Sequence, residues 1–126
     1  MLEYKIRQTR EVTILDLTGR ISVGEALAFG PGSGTVLSDV IRDLASKGHR
    51  KILLNLKDVK YIDSSGMGDV MRSFTGLQRL GGELKLLSPA PRVLEVLQVT
   101  RLHKVLQIED DEVSAIQAFS KQRSAE

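Results

Sequence analysis

Lys51 to Leu56 constrains this chain more than any other segment: Ile52, Leu53, Leu54 and Leu56 are broken only by Asn55. Six residues are too few for an ordinary helix, and apolar side chains at both odd and even positions leave neither face of a strand for water. A strand of this kind needs cover on both sides, as in a largely parallel sheet between layers of helix. The remaining sequence must therefore supply partner strands and crossover helices.

It does so in order. Tyr4 to Gln8 and Val12 to Thr18 are rich in β-branched and apolar residues, and Thr9-Arg10-Glu11 between them makes a hairpin. A short helix is expected at Val23 to Phe29, then an exposed loop at Gly30-Pro31-Gly32-Ser33-Gly34. Thr35 can cap a helix that aligns Val36, Leu37, Val40, Ile41 and Leu44 on one face and ends near Gly48. After the central strand, the residues up to Ile62 read as a connecting loop. From Asp63, a long helix carries Met67, Val70, Met71, Phe74 and Leu77 at helical spacing and stops at Gly81-Gly82. Glu83 to Leu87 reads as a strand, and Pro89 opens a helix with Val93, Leu94, Val96 and Leu97. A strand at Val105 to Ile108 and a helix from Asp110 to about Ser120, with Val113, Ile116 and Phe119 inward, complete the pattern. The expected fold is α/β, with a mostly parallel, mixed sheet of about five strands and about four helices. One domain covers 1–120, followed by a frayed tail at 121–126.

Composition narrows the function. Eighteen basic and sixteen acidic residues are spread along the chain, without a basic run interleaved with aromatics, so nucleic acid is not an expected partner. With no cysteine and two distant histidines, His49 and His103, neither a metal centre nor a thiol nucleophile is expected, and no cofactor is implied. The first seven residues alternate charged and apolar types, unlike a signal peptide, and no apolar run is long enough for membrane insertion; a cytoplasmic location is expected. A Gly-x-Ser-x-Gly elbow and a phosphate-binding Gly-x-x-x-x-Gly-Lys-Ser/Thr loop are both absent, so the chain is not expected to be an enzyme.

The informative junction is Tyr61-Ile62-Asp63-Ser64-Ser65-Gly66-Met67-Gly68. Asp63 suits the N-cap, where its carboxylate accepts from the amide of Ser65 or Gly66. Ser64 then stands in the exposed first turn, near amides that tolerate an added anion. Gly66 and Gly68 each cost about 1 kcal/mol of helix propensity, which suggests close approach at both. On local chemistry alone the segment is first a capped helix start. Met67 and Met71 read as core filler, and Lys57, Lys60 and Arg72 as solvated charges.

Taken together, Leu17-Thr18-Gly19, Ile52-Leu53-Leu54-Asn55-Leu56, Tyr61 to Gly68, Gly81-Gly82-Glu83-Leu84-Lys85-Leu86, Val93 to Leu97, Thr100-Arg101-Leu102 and Val105 to Ile108 resemble the bacterial anti-sigma-factor antagonists, which are stand-alone STAS domains. The resemblance spans nearly the whole chain. It implies a protein that binds an anti-sigma factor doubling as a serine-protein kinase, is switched off by phosphorylation of Ser64, with Ser65 the alternative acceptor, and is reset by a serine phosphatase. Asp63, Ser64, Ser65, Gly66 and Met67 would form the partner-binding segment. Many members carry acids in the turn where this chain has Gly19-Arg20-Ile21-Ser22, and the segment before the first long helix is extended here. The alternative implied is a STAS subunit of a lipid-transport complex or signalling scaffold.

Because three glycines and a proline in Gly30–Gly34 offer little to bury, shortening this stretch should leave stability nearly unchanged. Urea denaturation checks this: a loss above about 2 kcal/mol would mean that the loop packs into the fold.

Overall fold

The computed structural model describes residues 2–22 and 37–123, the last four of them as backbone only. The expected helix at Val23 to Phe29, the Gly30–Gly34 loop and the cap at Thr35 lie outside the described residues. The elements are β1 (Leu2–Thr9), β2 (Val12–Ile21), α1 (Leu37–Ser46), β3 (Lys51–Ile62), α2 (Ser64–Arg79), β4 (Glu83–Leu87), α3 (Pro91–Val99), a 3-10 turn (Leu102–Lys104), β5 (Gln107–Glu109) and α4 (Glu112–Arg123). The strands form one sheet in the order β1-β2-β3-β4-β5, antiparallel between β1 and β2 and parallel thereafter. This is the expected α/β architecture.

β3 is buried on both faces, as its composition requires. Ile52, Leu54 and Leu56 join α1, α2 and α3 in the larger core, and Leu53 joins Val12, Ile14, Leu87, Ala115 and Phe119 beneath α4. The strand does not end at Leu56, however. It continues to Ile62 against β2, and two register shifts, between Asp16 and Thr18 and between Gly19 and Arg20, insert extra residues on the β3 side. These bulges change the burial period from two to three: Leu56, Val59 and Ile62 are buried, while Lys57, Asp58, Lys60 and Tyr61 face out. A strand with that period does not alternate, which is why it reads as a loop in sequence.

Other boundaries move for local reasons. α3 starts at Pro91, with Pro89 still in the connection, and β5 is Gln107–Glu109 because the chain turns through Leu102–Lys104 first, leaving Val105 half exposed. α4 extends to Arg123, into the stretch expected to fray. Ile116 and Phe119 face inward as expected, but Val113 is 62% exposed, since Ala115 and Phe119, four apart, with Ile116 packed beside them, define the narrow stripe that meets the sheet.

The α4 side of the sheet also holds polar groups. Arg7 donates to Asp16 and Glu112, and Asn55 donates to Asp16 at 2.8 Å, joining three strands to the start of α4. These bonds hold the Asp16 carboxyl below its ordinary range, chiefly through Arg7. Lys85 of β4 is almost wholly buried, with its Nζ 5.1 Å from the Phe119 ring centroid and 3.9 Å from Glu83. Burial raises the Glu83 pKa, against the pull of Lys85 and Lys51.

A buried ammonium so loosely paired recovers little of its desolvation cost. Lys85→Met should therefore leave stability unchanged or raise it by about 1 kcal/mol, whereas Phe119→Ala should cost about 3 kcal/mol or more. Urea unfolding of both variants is the measurement.

Candidate functional site

α2 begins where β3 ends, beside the end of β2. The Asp63 amide donates to the Ile21 carbonyl at 3.4 Å, which ties the helix start to the neighbouring strand. Gly66 is buried against the same carbonyl: a β-carbon at position 66 would overlap Ile21 and come within 3.0 Å of the Ser22 amide nitrogen. Here glycine is required by space. Gly68 differs from expectation, because a β-carbon there would meet only the tip of Arg72 at 3.8 Å. Its helix cost has no packing explanation among the described residues.

Asp63 is the N-cap, as its position predicts. Its backbone is extended, and Oδ1 accepts from the Gly66 amide at 2.8 Å and from the Ser65 hydroxyl at 2.7 Å. The Ser22 hydroxyl lies 3.4 Å from that of Ser65 and also bonds Asp63. These donors, Ser65 first, then Gly66 and Ser22, lower the Asp63 pKa to about 2. At position 22 a hydroxyl supports this carboxylate, where an acid would oppose it.

The expected site residues separate into two groups. Ser64 and Ser65 are exposed and Asp63 is partly so, whereas Gly66 and Met67 are buried, Met67 being 5% exposed within the larger core. Met67 therefore supports the site from below and does not offer its side chain to a partner, in keeping with its reading as core filler. The two serines differ as well: the Ser65 hydroxyl is engaged with Asp63, while that of Ser64 has no hydrogen-bond partner among the described residues. Next to them, on the outward side of the bulged strands, the Arg20 guanidinium sits 5.6 Å from the Tyr61 ring centroid, and Tyr61 is 43% exposed. Lys57 and Lys60 are exposed on the same stretch of β3.

Val70 and Leu77 seat α2 in the core, with Phe74 packed against its edge. Gly81, at φ +79°, ends the helix, and the Gly82 amide donates back to the Leu77 carbonyl at 2.7 Å. Asp69 was not singled out in sequence, yet it is 2% exposed and accepts from the Ser38 amide at 2.9 Å and the Ser38 hydroxyl at 2.6 Å. It thus caps α1 from a neighbouring helix and also holds Arg72 at 3.1 Å. The available signal was an acid inside the inward stripe of Gly66, Met67, Val70 and Ser73. Among the described residues, no three His, Asp or Glu side chains form a metal-binding group, and no helix is long and apolar enough to cross a membrane.

Comparison with known proteins places this geometry. The STAS domain family model matches residues 3–115. A Thermotoga neapolitana protein assigned to the anti-sigma factor antagonists is 36% identical over 110 residues, covering 87% of this chain and 89% of its own length. The anti-sigma-B factor antagonist of Bacillus subtilis is 31% identical over 107 residues, covering 85% and 90% respectively. The crystal structure of a Thermotoga maritima protein of the same assignment superposes with a TM-score of 0.79 at 26% identity, covering 93% of this chain and 94% of its own. With its bulged central strand, its capped helix start and a match that runs nearly end to end, this chain belongs to the STAS domain family and is a member of its anti-sigma factor antagonist group.

Proposed function

We propose that the protein binds an anti-sigma factor through the start of α2, and that phosphorylation of Ser64 by that same partner, acting as a serine kinase, switches the binding off. A serine phosphatase resets it. Proteins of this group are non-enzymatic regulators, so the chemistry done on Ser64 is the partner's. The observation that carries the reading is the contrast between the two serines: Ser64 is exposed with its hydroxyl free among the described residues, while Ser65 is occupied by the cap.

Asp63 prepares this arrangement. By accepting from Ser65 and Gly66 it fixes the first turn while leaving Ser64 outside the network. A phosphate on Ser64 would add about −1.5 to −2 charge beside the ionised Asp63. Docking would then have to desolvate two neighbouring anions, and repulsion between them and any acidic group opposite would add to the loss. Arg20 and Tyr61, paired in register next to the end of β3, extend the surface a partner would meet, with Lys60, Asp58 and Lys57 exposed farther along the strand.

Ser64→Ala should bind an anti-sigma factor normally and resist phosphorylation. Ser64→Asp should fold but bind more weakly by about 2 kcal/mol, roughly thirtyfold. Ser65→Ala should remain a substrate. Calorimetry measures the affinities, and intact-mass analysis after incubation with the kinase and ATP locates the phosphate. If Ser64→Asp binds like the wild type and no serine gains mass, a constitutive scaffold role takes the place of the switch.

The cap itself titrates. Because the folded-state pKa of Asp63 lies below its ordinary 3.8, its contribution is complete above that value and is lost as pH falls through about 2. An NMR titration of the Asp63 carboxyl should give a midpoint at about 2, and Ser65→Ala, by removing the largest cause, should raise it toward 3.8. Asp63→Ala should cost about 1 kcal/mol of stability at neutral pH.

A further inference from the structure

A groove of about 720 Å³ runs between α1 and α2, well within the size range of small-molecule sites. Ile41 and Ala45 of α1 and Met71 of α2, with Leu80 just beyond it, supply apolar surface, and Leu80 is 44% exposed. Arg42, Arg72 and Arg79 stand around it, and the described lining residues include no carboxylate. Arg42 and Arg72 each lean on an acid outside the lining, Asp39 at 3.0 Å and Asp69 at 3.1 Å, through a single nitrogen. That leaves further N–H donors on both. Arg79 forms no ion pair among the described residues. An apolar trough edged with surplus positive charge complements an anion with an apolar body, and a guanidinium suits a carboxylate because two of its N–H groups can donate in parallel.

The glycines of α2 point the same way. Gly66 has its cause inside the fold, but Gly68 and Gly76, both lining the groove, do not: a β-carbon at Gly76 would meet nothing within 4 Å. Each costs the helix about 1 kcal/mol relative to alanine, and nothing in the described fold uses the room it leaves. Both leave room on the side of α2 that borders the trough.

The geometry points to this groove as a binding site for a small alkyl or aryl carboxylate, with the apolar body along Ile41, Ala45, Met71 and Leu80 and the carboxylate held by Arg72 and Arg79. It does not depend on the Ser64 reading, since neither Ser64 nor Ser65 lines the groove, which α1 forms with α2 from Gly68 onward.

The test is calorimetric titration of the full chain with sodium octanoate below its micelle concentration, with 1-octanol and acetate as controls. Octanoate should bind saturably at one site, and each control, lacking either charge or apolar body, should bind weaker by about tenfold or more. Arg79→Gln, an exposed change that leaves the core intact, should weaken octanoate by about tenfold. Gly76→Leu should fill the trough and abolish binding while raising the melting temperature, because leucine restores helix propensity. Octanoate that never saturates, octanol that binds equally well, or affinity untouched by both variants would each overturn the proposal. So would a Gly76→Leu protein that loses its anti-sigma factor while the wild type ignores octanoate, since the groove would then be a protein contact.

Discussion

The seat of α2 against the end of β2 leaves no room for a β-carbon at position 66, and much of the molecule depends on that closeness. With Gly66 against the Ile21 carbonyl, Asp63 reaches Ile21 through its amide and the first turn through its carboxylate. The helix axis is then directed so that Met67, Val70 and Leu77 enter the core and Asp69 meets the start of α1. A second close approach holds the other end, where a β-carbon at Gly82 would come within 2.5 Å of the Arg50 carbonyl oxygen. α2 is thus located at both termini by backbone contact and between them by side-chain packing. Its first turn can be wet, with the Ser64 side chain exposed, without losing its position.

How much of this was legible in sequence depended on whether a residue's role was local. The central strand and α2 declared themselves because burial on two faces and a helical stripe are patterns within one segment. Asp63 as cap is equally local. The bulged half of β3 was hidden because its period is set by its pairing with β2, where two register shifts place Lys57, Asp58, Lys60 and Tyr61 outward. Asp69 was hidden for a related reason: its partner, Ser38, is thirty-one residues away. Val113 is apolar yet exposed because, among the described residues, α4 meets the sheet along Ala115, Ile116 and Phe119, a contact too narrow for the apolar pattern to resolve.

The two faces of the sheet are built differently. One carries three helices and a continuous apolar core, and the other carries α4 with a charged network of Arg7, Asp16 and Glu112 and the buried Lys85. The apolar face supports the helix start proposed for partner binding. The polar face closes the sheet with far less apolar material, and its ion pairs join β1 and β2 to the start of α4.

The bulges in β3 also bear on how such a protein can diversify. In a regular half-buried strand, every second residue answers to the core. Here one in three does, at Leu56, Val59 and Ile62, and the intervening pairs are exposed, with no place in the core. Charge and shape on this edge of the domain are thereby uncoupled from foldability. Substitutions at Lys57, Asp58, Lys60 or Tyr61 can therefore change what this surface presents to a partner while the pairing and packing beneath it stay the same.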